Sequence, residues 1–343
     1  MAFKYVKRSR IQNTYQLKEF MKILVTGAAG FIGYHLCNKL INNKRNHVVG
    51  IDNLNNYYDI NLKKDRIKDL KKQNNKFKFY KLDLKNLRLI KNNFKKNKYD
   101  YVIHLAAQAG VRFSLENTKT YLDNNINVFY NILELSKEFK IKHLIYASTS
   151  SVYGDSKSFP LNENLPTDKP LSFYAATKKC NEIMAYTYSN LYKFKCTGLR
   201  FFTVYGPFGR PDMALFKFAK SISKNKKIDL YNKGNHHRDF TYIDDVVTII
   251  SKILKIKKKS QDFHQIYNVG RGDPQYLMKF ISIIEKNFRK KAKFNKMKKQ
   301  IGDVKKNHAD TTKISRMINF TPQVDIKDGI GMFIHWFKNY YKK

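Results

Sequence analysis

Tyr174 and Lys178 stand four residues apart in the segment YAATK. The segment follows a helical pattern, so the two side chains share one face of the helix. A free tyrosine titrates near ~10 and is a poor base at pH 7. A neighbouring ammonium favours the phenolate, which could then take the proton of a substrate hydroxyl while hydride leaves the same carbon. A row of hydroxyls, Ser148 to Ser151, closes the apolar strand pattern HLIYAS. At the carboxyl end of a parallel strand such hydroxyls face the ligand crevice. Tyr-x-x-x-Lys is common by chance and gains weight only where the same chain offers a site for a hydride acceptor.

The elements that must position these groups supply that site. Lys22–Thr26 (KILVT) reads as a short buried strand, Gly27-Ala-Ala-Gly30-Phe-Ile-Gly33 follows, and helical spacing runs on through Leu40. Glycines in that place let backbone amides approach a pyrophosphate at the helix N-terminus. A second strand, HVVGID, ends at Asp52, 19 residues after Gly33. A carboxylate there accepts hydrogen bonds from the adenosine ribose and repels a 2′-phosphate, which favours NAD over NADP. Asp83, closing a third strand, is a candidate for the adenine edge, with an ordinary helix cap before Leu84 as the alternative. Strands are expected over 76–83, 99–106, 143–148 and 196–202, with helical patterns between them. This predicts an α/β fold, a doubly wound parallel sheet of Rossmann type.

The stretch TVYGPFGRPDM, Thr203 to Met213, holds two glycines, two prolines and one arginine. It predicts a shaped loop that fixes Arg210 in place. His236 and His237 have no partner at metal-ligand spacing; they read as loop residues, and no metal is expected.

With 343 residues, 42% of them hydrophobic, the chain can bury a large core and split into two lobes. Its net charge of +40 invites a nucleic-acid reading. The lysines are scattered rather than clustered, so no nucleic-acid partner is expected; the basic surface would attract an anionic substrate or a membrane. Cys37, Cys180 and Cys196 show no paired spacing and read as reduced thiols of a cytoplasmic protein. No apolar run is long enough to span a membrane. Residues 1–20 form a basic extension without the apolar core of a signal peptide, and Met21 opens the first strand directly.

The motifs VTGAAGFIG (25–33), DNLNNYYD (52–59), HLAAQAGVR (104–112), ASTSSVYG (147–154), YAATK (174–178), LRFFTVYGPFGRPDMALFKF (199–218) and RDFTYIDD (238–245) resemble the extended short-chain dehydrogenase/reductase family of nucleotide-sugar enzymes. The chain is most similar to the UDP-glucuronate 4-epimerases, from Met21 to nearly the C-terminus. The resemblance implies Thr149, Tyr174 and Lys178 as the catalytic triad. It places NAD against Gly27, Gly30, Phe31, Ile32, Gly33, Asp52, Asp83, Leu84, Leu105, Ala106 and Ala107, with Tyr174 and Lys178. It implies a Rossmann domain over 21–200 that regains elements near 240–270. A smaller lobe, 201–239 and 271–343, closes over the UDP-sugar, and the family forms a homodimer through paired helices. Tyr174 would take the proton of the sugar 4-hydroxyl as the C4 hydride departs. The 4-keto sugar would swing about its diphosphate, and hydride would return to the opposite face.

Related reactions need other groups. The 4,6-dehydratases carry an Asp-Glu pair, and the UDP-glucuronate decarboxylases a Glu, where this chain has Ser150 and Ser151. UDP-glucose 4-epimerases usually have Asn in place of Thr203 and lack Gly-Arg-Pro. Arg210 is therefore the candidate clamp for the C6 carboxylate of glucuronate, since a guanidinium binds a carboxylate at two points. Thr203 and Ser151 would add hydroxyls. Arg238 resembles the family's diphosphate-binding arginine, while Ser150, Met213, Tyr231 (uracil pocket) and Arg112 complete the candidate substrate set. Two departures stand out: Phe208 replaces the usual Trp, and Ile301-Gly302-Asp303 the frequent Pro-Gly-Asp. A UDP-hexose 4-epimerase, a dehydratase or decarboxylase, and a non-catalytic NAD-binding protein remain as alternatives.

Overall fold

The computed structural model describes residues 20–73, 77–256, 262–298 and 304–341. The chain runs β1 (Met21–Thr26), α1 (Phe31–Ile41), β2 (Asn46–Asp52), α2 (Ile60–Gln73), β3 (Lys78–Lys81), α3 (Leu87–Asn97) and β4 (Tyr101–His104). Two short helices, α4 (Phe113–Glu116) and α5 (Thr118–Tyr121), lead through a π-helical turn at Leu122–Asn127 into α6 (Val128–Glu138). Then come β5 (His143–Thr149), α7 (Phe173–Tyr192), β6 (Lys195–Phe201), β7 (Thr203–Tyr205), α8 (Ala214–Ser223), β8 (Lys227–Tyr231) and β9 (His237–Tyr242). The remainder is α9 (Ile243–Leu254), β10 (His264–Val269), β11 (Pro274–Tyr276), α10 (Leu277–Phe288), β12 (Lys293–Met297), α11 (Thr312–Ile318) and α12 (Ile326–Tyr340).

Seven strands form one parallel sheet in the order β3-β2-β1-β4-β5-β6-β10. Helices cover both faces, which explains the unbroken apolar run in β1: Ile23, Leu24 and Val25 are fully buried. Strand order reverses between β1 and β4, and the crevice beyond their carboxyl ends is where a doubly wound sheet takes its ligand.

Two strands are shorter than their apolar patterns predict, for a shared reason. β3 pairs with β2 only as far as Asp52 opposite Lys81, and β4 with β1 only as far as Thr26 opposite His104. Both partners turn away there, so Leu82–Asp83 and Leu105–Ala106 become loop at the crevice. A further correction concerns Thr203–Tyr205, expected as loop. It forms β7, parallel to β9 in a second sheet of order β11-β9-β7, and the loop proper begins at Gly206. His237 likewise opens β9 rather than lying in a loop. β9 belongs to this small sheet and β10 to the large one.

The loop after β7 is clasped by aromatic rings. Phe208 lies 4.9 Å from both Tyr34 of α1 and Trp336 of α12, ring centre to ring centre. Phenylalanine fills this place among aromatics without needing a polar partner.

Candidate active site

The glycine turn is built from close backbone approaches. Gly27 has φ +71, and a Cβ on it would lie 2.8 Å from Ala106 N. A Cβ on Gly33 would lie 2.1 Å from the Gly27 carbonyl oxygen. The opening turn of α1, Phe31 to Gly33, therefore presents backbone amides that have no partner within the helix. Asp52 closes β2 beside it. Its carboxylate accepts from Ala29 N at 3.1 Å and from Leu54 N at 2.8 Å. Burial raises its pKa, against the pull of those amides, Lys63 and Arg66. Asp83 accepts from Lys85 N at 2.9 Å and from the Asn53 amide at 3.3 Å. It is not a helix cap: Asn86 caps α3.

The hydroxyl row sits at the end of β5. Thr149 Oγ1 donates to Ser151 Oγ at 3.2 Å and accepts from Ser151 N at 3.2 Å. Ser150 Oγ accepts from the Asn307 amide at 3.0 Å. Ser172 caps α7 by accepting from Ala175 N at 3.2 Å, and this sets Tyr174 in the helix's first turn. Burial raises the Tyr174 pKa; a hydrogen bond with Thr149 and the Arg210 charge pull it down. The Lys178 ammonium donates to the Ala147 carbonyl at 2.9 Å, and burial brings its own pKa down to about 8.

Arg210 is held by Asp212, a residue without an assigned role in the sequence reading. Arg210 Nε donates to Asp212 Oδ1 at 3.0 Å and Nη2 to Oδ2 at 2.5 Å. Burial opposes both charges, yet each partner stabilises the other, so the guanidinium pKa is raised and the carboxyl pKa lowered. Arg112 stacks on Tyr231, its guanidinium carbon 4.8 Å from the ring centre. Arg238 extends from β9 and donates to the carbonyls of His237 and Lys305 at 3.1 and 3.2 Å; it caps no helix.

All of the cofactor, catalytic and substrate residues anticipated from sequence line one cavity of about 1080 Å³. Thr203, Met213, Tyr231 and Arg238 line it from the small-sheet side, and the glycine turn, Leu84 and Leu105–Ala107 from the other. The glycine cradle, the Asp52 carboxylate and the crevice together fit a dinucleotide. Among the described residues no group of three or more His, Cys, Asp or Glu could hold a metal. Ile301–Gly302–Asp303 and residues 1–19 lie outside the described residues.

Four further residues organise the site. Arg66, fully buried, donates to the Ala29 carbonyl and Tyr58 hydroxyl at 2.7 Å and to the Phe208 carbonyl at 2.6 Å. It ties the glycine turn to the Arg210 loop. Asn125, in the π-helical turn, accepts from Gln108 N at 2.8 Å and donates to Thr177 at 3.0 Å. Glu182 and Arg200 form a buried ion pair below the hydroxyl row. The only sequence-level sign of Asn125 is a polar run, NNIN, inside a helical pattern; a lone arginine on the lysine-rich α2 gave no sign of Arg66.

A parallel-sheet crevice lined by a glycine turn and by Thr149, Tyr174 and Lys178 defines a short-chain dehydrogenase/reductase fold of the nucleotide-sugar type. The chain belongs to the NAD dependent epimerase/dehydratase family, whose model matches residues 23–270. It is 49% identical to Protein CapI of Staphylococcus aureus over 94% of this chain and all of that one. It is 44% identical to the UDP-glucuronate 4-epimerase of Thermodesulfobacterium geofontis, over 92% of this chain and 95% of that one. Among solved structures, the UDP-glucuronic acid 4-epimerase of Bacillus cereus in complex with UDP-glucuronic acid and NAD superposes with a TM-score of 0.88. It is 38% identical, covering 94% of this chain and 100% of its own.

Proposed function

We propose that this protein interconverts UDP-glucuronate and UDP-galacturonate by inverting C4. The observation that carries the reading is that Thr149, Tyr174 and Lys178 line the same cavity as the glycine turn, with serines rather than carboxylates at 150 and 151. NAD, when bound along Gly27–Gly33 and Asp52, supplies a reversible hydride acceptor at C4. Tyr174 removes and returns the 4-hydroxyl proton, and Thr149 holds the reacting oxygen. Lys178 fixes the nicotinamide ribose. Serines at 150 and 151 cannot eliminate water as a dehydratase acid pair would, and they do not repel an anionic sugar.

Arg210, with Thr203 and Ser151, holds the C6 carboxylate. Arg238, Arg112 and the lysines on the cavity wall, Lys217, Lys220 and Lys227, attract the diphosphate; Tyr231 and Met213 border the nucleoside. In the proposed two-domain division this cavity lies where the two lobes would meet. One observation favours a second reading. Asp212 already fills the Arg210 fork, which would suit a neutral sugar and a UDP-hexose 4-epimerase.

Ile183, Tyr186 and Leu191 are exposed apolar residues on α7, and Tyr130 is exposed on α6. This supports a homodimer through paired helices, which sedimentation would test. Free thiols at Cys37, Cys180 and Cys196 agree with a reducing compartment, the cytoplasm.

The deciding experiment incubates the enzyme separately with UDP-glucuronate and UDP-glucose and reads the products by NMR. UDP-galacturonate from the first, with little product from the second, is expected. Faster conversion of UDP-glucose, or release of CO₂ as the main outcome, would overturn the assignment.

A further inference from the structure

The Arg210–Asp212 pair has the two-point geometry that a guanidinium would offer to a substrate carboxylate. Both side chains line the substrate cavity and remain open to it, with 21% and 28% of their surfaces exposed. We propose that Asp212 is a stand-in for the substrate carboxylate. It fills the Arg210 fork, yields it to an anionic sugar, and so sets the affinity for uronate over neutral sugars. The proposal rests on the reading of Arg210 as the carboxylate clamp.

The local chain is suited to a reversible exchange. Only Pro211 separates the two residues, and its fixed φ limits how far they can part. Met213 N donates to the Arg210 carbonyl at 3.1 Å, closing the turn. Asp212 therefore stays at high effective concentration and can retake the fork when product leaves.

A displaced Asp212 is not left stranded. The Tyr57 hydroxyl donates to its Oδ2 at 3.3 Å. Lys217, one turn into α8, already attracts it. Asp212 also stands just before α8, where the positive end of the helix favours an anion. Giving up Arg210 thus exchanges one set of partners for another.

Two consequences follow. An anionic sugar binds with only the difference between its own contact and the one it displaces. A neutral sugar meets a compensated arginine rather than a bare buried charge.

The test uses NAD-loaded enzyme carrying Tyr174→Phe, so that binding is read without turnover. Asp212→Asn is added, with Asp212→Ser as the second variant should the first not fold. UDP-glucuronate and UDP-glucose affinities and dissociation rates are measured. Loss of the competitor is expected to tighten UDP-glucuronate by roughly tenfold, mostly through slower dissociation, while UDP-glucose stays the same or weakens. If UDP-glucuronate binds no better, or binds worse because Asp212 merely orients Arg210 toward a ligand on its other edge, the proposal is refuted. Arg210→Ala in the same background tests the clamp separately. Selective loss of UDP-glucuronate sustains it, and equal loss of both sugars removes the clamp reading itself.

Discussion

Glu182 and Arg200 face each other in the core with 3% of each side chain exposed, Arg200 Nε and Nη2 donating to the two carboxylate oxygens at 2.9 and 2.8 Å. Ser148 Oγ donates to the same carboxylate at 2.6 Å. The pair thus joins α7, one turn beyond Lys178, to β6 and to the residue before Thr149. Breaking a buried pair leaves an uncompensated charge, which costs about 3–5 kcal/mol. Glu182→Gln is expected to lower stability by that order in urea unfolding. A double Glu182→Leu/Arg200→Met variant should be less damaged than either single change. A double variant losing the full sum of the singles would show that the pair is not coupled.

Tyr174→Phe removes only the phenol oxygen. It is expected to abolish epimerisation while NAD stays bound, read by the cofactor absorbance of purified protein. The pH profile carries a further prediction. Thr149 and Arg210 both pull the Tyr174 pKa down, so removing either raises it. For a base that must be deprotonated, the limb of kcat/KM that rises with pH then moves to higher pH. Thr149→Val and Arg210→Ala should both shift it upward; an unshifted limb would place another group in the acid–base role.

Asp52 closes β2 beside the glycine turn, and Lys63 lies near enough to influence its charge. The enzyme is expected to prefer NAD, because a 2′-phosphate would meet a carboxylate. Like charges in contact cost several kcal/mol, so Asp52→Ser should raise the NADP-to-NAD affinity ratio by at least about tenfold. Titration of cofactor-stripped protein with each dinucleotide measures it. A wild-type preference for NADP would end the assignment.

Acid stability should report two buried histidines. His104, bonded to Thr26 Oγ1 at 2.8 Å, and His143, bonded to Thr197 Oγ1 at 2.8 Å, are both 3% exposed. Burial pushes each pKa down to about 3, with Lys178 and Lys195 adding to the effect. Below the unfolded value near ~6.5 the unfolded chain binds these protons and the folded chain does not. Their contribution is thus present above pH 6.5 and is lost as pH falls toward 3, at about 1.4 kcal/mol per pH unit for each histidine. Denaturant midpoints from pH 7 to 4.5 should fall more gently in His143→Gln than in the parent.

What sequence alone determined here is local. The glycine turn is legible because Gly27 needs a positive φ and Gly33 a bare Cα, constraints met within seven residues. Tyr174 and Lys178 are legible because helical spacing sets them on one face, and Asp52 because it ends a strand. The sheet follows from the alternation of strands and helices. Tertiary structure decided the rest. Where β3 and β4 stop depends on where β2 and β1 turn away. Thr203–Tyr205 becomes a strand only because β9, far along the chain, lies beside it. Arg66 reaches the Phe208 carbonyl across 142 positions and Asn307 reaches Ser150 across 157; no periodicity records such meetings. Even Arg210 and Asp212, two residues apart, pair because the loop turns Asp212 back onto the guanidinium, a bend closed by Met213 N and the Arg210 carbonyl. Residue types and short spacings state which groups can react, and the long-range packing of the chain determines which group each of them meets.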